Sequence, residues 1–209
     1  MLFRNRIQAG KQLAEKLSAY KNKKDVVVLG IPRGGIEVAF AVAKELNAKL
    51  SVIITKKITY PTNPEFAIGA ASLDSYVIDE DYKHAEKALK DDIKKLMSEI
   101  KSRYKKYTNT APKLEGKTIV IVDDGLATGH TMEAAIGYAR SKKPKKIIAA
   151  VPVSSQEAYE NIKKLADKIV CLSIPINFFA VGSFYQEFGQ LSDEDVISYL
   201  KESKKSKSN

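Results

Sequence analysis

Residues 119–131 constrain the fold of this chain more than any other segment does. Four β-branched apolar residues, 119–122, come directly before the acids Asp123 and Asp124 and a small, hydroxyl-rich loop that ends at Thr131. An apolar run without polar alternation is typical of an inner strand in a parallel sheet that is covered on both faces. An amphipathic stretch begins at Thr131. The segment therefore predicts a buried strand, a tight loop and a helix, in that order.

The loop between this strand and helix has the composition of an anion-binding site. Small residues let a phosphate approach the backbone, and the free amides and the dipole of a helix N-terminus favour negative charge. Hydroxyl side chains add further hydrogen-bond donors. The small residues are Gly125, Ala127 and Gly129, and the hydroxyl residues beside them are Thr128 and Thr131.

The paired acids suit a different part of a ligand. Asp123 and Asp124 would repel a phosphate, but they can accept hydrogen bonds from the vicinal hydroxyls of a ribose or bind the Mg²⁺ that accompanies polyphosphates. Strand, acids and loop together indicate a site for a phosphorylated sugar. The alternative is a generic strand, turn and helix that carries two acids by chance. A Walker A loop does not fit, because no Gly-Lys-Ser/Thr follows the turn.

At residues 119–131 the chain resembles the type I phosphoribosyltransferases, whose signature is four hydrophobic residues, two acids, a small turn, Thr-Gly and a closing Thr or Ser. In that family the loop binds the 5-phosphate of phosphoribosyl pyrophosphate (PRPP) and the acids bind the ribose. The resemblance implies that Asp123 and Asp124 contact the ribose hydroxyls and, partly through PRPP and water, Mg²⁺. The implied PRPP loop consists of Gly125, Leu126, Ala127, Thr128, Gly129, His130 and Thr131.

The rest of the chain predicts an α/β fold with a doubly wound, mostly parallel sheet of about five strands, because apolar runs alternate with helical patterns. We expect residues 1–209 to form one phosphoribosyltransferase-like domain, with an insertion at about 58–115 and a C-terminal hood and tail at about 174–209. The predicted strands are 26–29, 50–55, 119–122, 147–153 and 169–172. In the insertion we expect a hairpin (67–72 with 76–78), a helix (81–107) and a linker (109–116); in the hood, a helix (193–200) and a disordered tail (201–209).

A loop after the first strand is a second candidate anion site, because ligands of open parallel sheets bind beyond the carboxyl ends of the strands. The sequence Pro32-Arg33-Gly34-Gly35 combines a cation with two glycines at the start of a helix. It resembles the pyrophosphate loop of phosphoribosyltransferases. That resemblance implies PRPP contacts from Arg33, Gly34 and Gly35, and a cis peptide bond between Pro32 and Arg33. The alternative is an ordinary glycine turn with an exposed arginine.

A third loop starts at Lys56 and Lys57, at the carboxyl end of the second strand. Opposite Arg33 on the same rim, these cations could neutralise a departing pyrophosphate, and Lys57 would contact PRPP. Segment 58–66, with its two prolines, predicts an irregular loop and resembles the mobile loop that closes over substrate in this family. Tyr60 and Glu65 are further candidates for loop contacts. The alternative is that the lysines only solubilise the end of a strand.

Aromatic residues are dense at 178–185, where they could stack on a planar base or form a small core under the hood. Their order resembles the base-binding segment of hypoxanthine-guanine phosphoribosyltransferases. The resemblance implies that Phe178, Phe179 and Val181 contact the base. An acid after the glycine and a purine-reading lysine after the fourth strand, both present in that family, have no counterpart here, so the sequence does not identify the base.

Composition narrows the choice of partners. The formal net charge is +10, mostly from lysines on helix faces, which favours a solvated surface that attracts a polyanionic substrate over a nucleic-acid interface. Neither a signal peptide nor a bilayer-spanning segment is visible, so we expect a cytoplasmic protein without a membrane partner. Neither His84 nor His130 has a partner at metal-ligand spacing. The apolar helix face in the insertion is compatible with a homodimer.

These features predict an Mg²⁺-dependent phosphoribosyltransferase that transfers the 5-phosphoribosyl group from PRPP to a nitrogenous base or similar acceptor and releases pyrophosphate. Arg33, Lys56 and Lys57 would stabilise the pyrophosphate, and the proton of the acceptor could pass to Asp124 or to pyrophosphate. Further motifs, such as residues 3–6 and 63–70, resemble a subfamily whose substrate is unassigned. The rival function is a PRPP or nucleotide sensor of the same fold, which would regulate transcription or bind RNA or DNA without turnover.

Overall fold

The computed structural model describes residues 2–108 and 111–205, apart from the side chains of residues 64 and 65. In these ranges the chain forms eight strands in two sheets, together with six α-helices. The strands are β1 (Val26–Gly30), β2 (Lys49–Val52), β3 (Lys56–Tyr60), β4 (Asn63–Ala71), β5 (Tyr76–Ile78), β6 (Thr118–Val122), β7 (Lys146–Val153) and β8 (Lys168–Ser173). The helices are α1 (Arg6–Lys16), α2 (Gly34–Leu46), α3 (Lys90–Tyr107), α4 (His130–Ser141), α5 (Gln156–Leu165) and α6 (Asp193–Lys205).

The larger sheet has five parallel strands in the order β2-β1-β6-β7-β8. The predicted fold class, a doubly wound parallel α/β sheet, is therefore confirmed. Strands β1 and β6 are neighbours at its centre, and the last residue of one, Gly30, lies opposite the last residue of the other, Val122. The loops that follow these two strands consequently leave the sheet side by side.

Helices cover both faces of this sheet, as the unbroken apolar runs predicted. Successive residues of β1 and β6 alternate between two hydrophobic cores, and every residue of both strands is buried. Val28 and Val120 pack in the core that includes α2, α3 and α6, whereas Leu29 and Ile121 pack in the core that includes α4 and α5. A strand that is buried on both faces has no solvent-exposed face, so polar residues lie only at its ends.

Helix α1 is held in place at its start and along one face. The side chain of Asn5 caps it by accepting a hydrogen bond from the amide of Gln8 at 3.0 Å. Gly10 lets α1 approach α2 closely, because a Cβ there would lie 2.7 Å from the Cβ of Ala41. This packing fixes the position of Arg6 in the first turn of α1.

The smaller sheet is antiparallel, in the order β3-β4-β5, and it corrects the sequence interpretation of residues 58–66. The predicted irregular loop is a β-hairpin, formed by most of β3 and the start of β4. Ile58 is buried in the main core, which explains why this stretch is ordered as a strand. The two prolines do not prevent it: Pro61 lies in the turn, and Pro64 lies between the paired positions Asn63 and Ala67, where the register shifts and no ladder donor is required.

The long helix predicted at 81–107 is shorter than expected. Residues 80–85 form a 3₁₀ turn, and the α-helix, α3, begins at Lys90. The apolar spacing explains the difference, because the residues that bury one face of α3 recur only from Leu89 onward, at Ile93, Ile100 and Tyr104. Part of the predicted linker, residues 109 and 110, lies outside the described residues. No helix of the described ranges is both long and apolar enough to span a bilayer.

The hood crosses the amino-terminal residues of the chain. The amide of Phe3 donates to the carbonyl of Phe184 at 3.0 Å, and the amide of Gln186 donates to the carbonyl of Phe3 at 2.9 Å. Helix α6 then packs on α2, β2 and α3. It continues to Lys205, so the predicted disordered tail is wrong for residues 201–205, while 206–209 lie outside the described residues.

Tyr104 connects α3 to the end of β2, and we expect its hydroxyl to stabilise the fold. The hydroxyl accepts from the amide of Ile54 at 3.3 Å and donates to the carbonyl of Val52 at 3.2 Å, in a buried position. Tyr104→Phe leaves that amide and carbonyl without this partner and should lower the free energy of unfolding by about 1–2 kcal/mol. Urea denaturation measures the change. Tyr76→Phe is the matched control, because its hydroxyl donates to Glu86 at the surface, and equal effects would contradict the proposed role of Tyr104.

Candidate substrate site at the carboxyl edge of the sheet

The two acids of the central motif lie together at the end of β6. The amide of Asp124 donates to Oδ1 of Asp123 at 2.9 Å. From the hood, the hydroxyl of Tyr185 donates to the carbonyl oxygen of Asp124 at 2.6 Å. Backbone and hood thus fix the acid pair at the edge where the parallel strands end.

The loop after β1 lies directly against these acids. A Cβ on Gly34 would be 2.0 Å from Oδ2 of Asp124, and one on Gly35 would be 2.8 Å from Oδ1 of Asp123. No other residue type fits so close to a carboxylate, which explains the pair of glycines. The peptide bond between Pro32 and Arg33 is cis, as predicted, and Arg33 is exposed.

The loop after β6 is fixed by its neighbours in the sheet and by α5. The amide of Leu126 donates to the carbonyl of Val153 at 2.9 Å, and the hydroxyl of Ser155 donates to the carbonyl of Ala127 at 2.7 Å. Gly129 has a φ of +82°, in the left-handed region, and immediately precedes α4. Of the predicted PRPP loop, Leu126 is buried in the core, while the side chains of Ala127, Thr128, His130 and Thr131 are exposed.

The two lysines after β2 lie close to the start of α4. Lys56 forms an ion pair with Glu99 on α3. Both lysines line a cavity of about 290 Å³ together with Thr55, His130 and Thr131, beside the start of α4. The hydroxyl oxygen of Thr55 is buried without a hydrogen-bond partner within the described part of the chain. The structure thus brings both lysines to the side of the loop that follows β6, and the ammonium of Lys56 is paired with Glu99 there.

Arg6 is a site residue that the sequence analysis did not assign a role. Its Nε donates to Oδ2 of Asp124 at 2.8 Å, and its side chain is 7% exposed. One terminal nitrogen lies 3.8 Å from a carboxylate oxygen of Glu37. The motif at residues 3–6 was the only signal, and it does not indicate a contact with a residue 118 positions away.

The acids of the site are half-buried around one arginine, and their partial loss of solvation raises their pKa values. Burial raises the pKa of Asp123 well above its ordinary range, and the neighbouring charge of Asp124 raises it further. Burial also raises the pKa of Asp124, against the opposing effect of Arg6. The pKa of Glu37 is raised by burial too, although a hydrogen bond with Tyr199 and the charge of Arg6 oppose it. A cation or a set of hydroxyl donors would stabilise the ionised acids.

Mg²⁺ fits this donor set only together with a substrate. Among the described residues, no group of three or more potential ligands from His, Cys, Asp and Glu could hold a metal ion. Mg²⁺ often binds through one or two carboxylates, with substrate phosphates and water completing its octahedron. Asp123 and Asp124 supply two such carboxylates in a site with excess negative charge, so the residues are compatible with Mg²⁺ that arrives with a polyphosphate.

The aromatic segment of the hood divides into a packed part and an exposed part. Phe178 stacks on Phe184, with ring centroids 5.4 Å apart, in a small core that also contains Val181. Val181 lies against the loop after β6, because a Cβ on Gly125 would be 2.6 Å from its Cγ1. Phe179, in contrast, is 88% exposed. Of the three predicted base-binding residues, Phe179 is the one whose side chain is exposed and not packed in this small core.

The close approach of Gly34 to Asp124 predicts a strong effect of a single methyl group. Gly34→Ala should displace the carboxylate or the loop and lower the free energy of unfolding by about 1–3 kcal/mol. Gly137→Ala is the matched control, because a Cβ on that helical residue would meet nothing within 4 Å. The control should be neutral or stabilising by up to about 1 kcal/mol. Urea denaturation of both variants tests this, and a neutral Gly34→Ala would show that the loop and the acid pair are not in contact.

The raised pKa of Asp123 predicts a pH-dependent gain from removing its charge. A carboxyl whose pKa is higher in the folded state favours folding at low pH, and this advantage is lost as the pH rises toward the folded pKa. Asp123→Asn should therefore be more stable than the unaltered protein at pH 7, and the difference should shrink as the pH falls toward 4. Each kcal/mol corresponds to an increase of about 2–4 °C in melting temperature. Exposed Asp91→Asn is the control; a pH-independent difference for Asp123→Asn would contradict this interpretation.

Comparisons with known proteins identify the family of the chain. The family model described as "Phosphoribosyl transferase domain" matches residues 2–187. Proteins of Mycobacterium tuberculosis strains CDC 1551 and H37Rv, provisionally named phosphoribosyl transferases, are each 40% identical over 206 residues, which is 95% of this chain. The match covers 46% of their own length, so the chain spans about half of these relatives.

A solved structure covers nearly the whole chain. The TT1426 protein of Thermus thermophilus has a crystal structure with a TM-score of 0.90 and 39% identity, covering 97% of this chain and 99% of the other. The chain therefore belongs to the phosphoribosyl transferase domain family, and it has the doubly wound α/β fold that its motifs predicted.

Proposed function

We propose that the protein transfers the 5-phosphoribosyl group of PRPP to a nitrogenous base or similar acceptor and releases pyrophosphate. The observation that supports this most directly is the contact between Gly34 and Asp124. It joins a loop suited to pyrophosphate to a pair of acids suited to ribose, and the acid pair continues into a loop suited to a phosphate. The three parts of PRPP follow one another in the same order.

Each part of the site has a distinct task in this proposal. Asp123 and Asp124 accept hydrogen bonds from the ribose hydroxyls and thereby orient the sugar. The loop 125–131 binds the 5-phosphate with its amides and hydroxyls at the start of α4. Arg33 and the amides of Gly34 and Gly35 bind the pyrophosphate, and Lys57 supplies positive charge from the far side of the cavity. Lys56 can assist only after its ion pair with Glu99 opens.

The reaction is a substitution at C1 of the ribose. The bond from C1 to the pyrophosphate oxygen breaks and its electron pair goes to pyrophosphate, while the lone pair of the acceptor nitrogen forms the new bond to C1. The proton of that nitrogen passes to Asp124 or to pyrophosphate. Because positive charge develops on the sugar and negative charge on the leaving group, the fixed acids on one side and the cations on the other stabilise the transition state.

We also propose Mg²⁺ as the cofactor and the hood as the acceptor site. Mg²⁺ would neutralise charge on the leaving pyrophosphate, and Asp123 and Asp124 are the residues that would hold it, through PRPP and water. Phe179 can stack on a planar base, because its ring is exposed. Val181 borders the loop next to the ribose acids and would limit the space for the acceptor.

The test is a screen of nitrogenous bases for PRPP-dependent release of pyrophosphate, with Mg²⁺ present. We expect turnover with at least one base, and the responding base identifies the acceptor. Calorimetry with PRPP and Mg²⁺ gives the affinity independently of the acceptor. Binding of PRPP without pyrophosphate release from any base would favour a sensor, and absence of PRPP binding would contradict both functions.

Substitution of the acid pair tests the proposed ribose site most directly. Asp123→Asn combined with Asp124→Asn should leave the fold intact and weaken PRPP binding by about 100-fold or more, because it replaces charged hydrogen-bond acceptors with neutral ones. The control is Asp91→Asn with Asp92→Asn, the same change of charge at the exposed start of α3. Normal PRPP affinity in the first variant would contradict the ribose role of Asp123 and Asp124.

A further inference from the structure

The surroundings of Arg6 connect three distant parts of the chain. In addition to its bond to Asp124, Arg6 donates from a terminal nitrogen to the carbonyl of Gly189 at 2.8 Å. Its guanidinium lies over the ring of Phe188, 3.8 Å from the centroid. The side chain thus bridges α1, the acid pair after β6 and the hood. It is nearly inaccessible to solvent, so it does not present a free edge to a ligand.

The geometry uses properties that only arginine has. One planar group donates from Nε to a carboxylate, donates from a terminal nitrogen to a carbonyl and stacks on an aromatic ring. Lysine has a single charged nitrogen, and it cannot make these three contacts together. The contact with Asp124 engages Oδ2, the same oxygen that faces Gly34. Oδ1 is therefore the oxygen that this arrangement leaves for a ligand.

We propose that Arg6 is the positioning residue of the ribose site: it fixes Asp124 through Oδ2, so that Oδ1 meets a ribose hydroxyl, and it ties the hood to that carboxylate. This role rests on the proposed function. Arg6 acts through Asp124 and does not touch the substrate. Its loss should affect ligand binding beyond any effect on folding.

The first test compares substitutions of two arginines in the same segment. Arg6→Gln should weaken PRPP binding about tenfold or more and should speed hydrogen exchange at Phe188 and Gly189, while Arg6→Lys should restore only part of the affinity. Arg4→Gln is the control, since it removes the same charge from an exposed ion pair with Glu187. Its PRPP affinity should be unchanged. If Arg6→Gln does not fold, Arg6→Lys and Arg4→Lys provide the same comparison.

A double-mutant cycle tests whether Arg6 acts through Asp124. With Asp124→Asn already present, Arg6→Gln should cause little additional loss of PRPP affinity. Additive losses would show that Arg6 contacts the ligand itself and would overturn the proposal. Affinity equal to that of the unaltered protein in folded Arg6→Gln and Arg6→Lys would also overturn it, while leaving the proposed function intact. Absence of PRPP binding by the unaltered protein would overturn the proposed function as well.

Discussion

The parallel pairing of β1 with β6 is the constraint on which the site depends. Val26 to Gly30 pair in register with Thr118 to Val122, so two segments separated by about ninety residues end at the same level. Because ligands of such sheets bind beyond the carboxyl ends of the strands, this register decides which loops meet. This register keeps the glycines after β1 next to the acids after β6. The absence of a Cβ on Gly34 is what makes their contact possible.

Three half-buried acids around one arginine favour a ligand that brings hydroxyl donors or positive charge. Asp123, Asp124 and Glu37 share the environment of one arginine, and burial raises the pKa of each acid. The fold tolerates this because the rest of the sheet is covered by apolar cores on both faces. A site that is poorly compensated when empty gains most when hydroxyl donors and a cation arrive, which is a common relation between stability and function.

Sequence reasoning succeeded where the determinants were local. The strand at 119–122, the acids and the loop that follows occur within one segment, and so do the glycines and the cis bond after β1. It failed where distant contacts decide the structure. Segment 58–66 has the composition of a loop, yet burial of Ile58 makes it a hairpin. Arg6 could not be found because its partners, Asp124 and Gly189, are far away in sequence. The ion pair of Lys56 with Glu99 could not be predicted for the same reason.

The crossing of the hood and the amino terminus has a consequence for the order in which the protein can be assembled during synthesis. Arg6 and Gly189 are 183 residues apart, and Phe3 pairs with residues of the same late segment. The sheet can form once β8 has left the ribosome, but the acids remain uncovered until the hood follows. Contacts of such long sequence separation form slowly. Completion of the site therefore waits until the hood has been synthesised, and a chain interrupted before the hood would hold a folded sheet with an unfinished pocket.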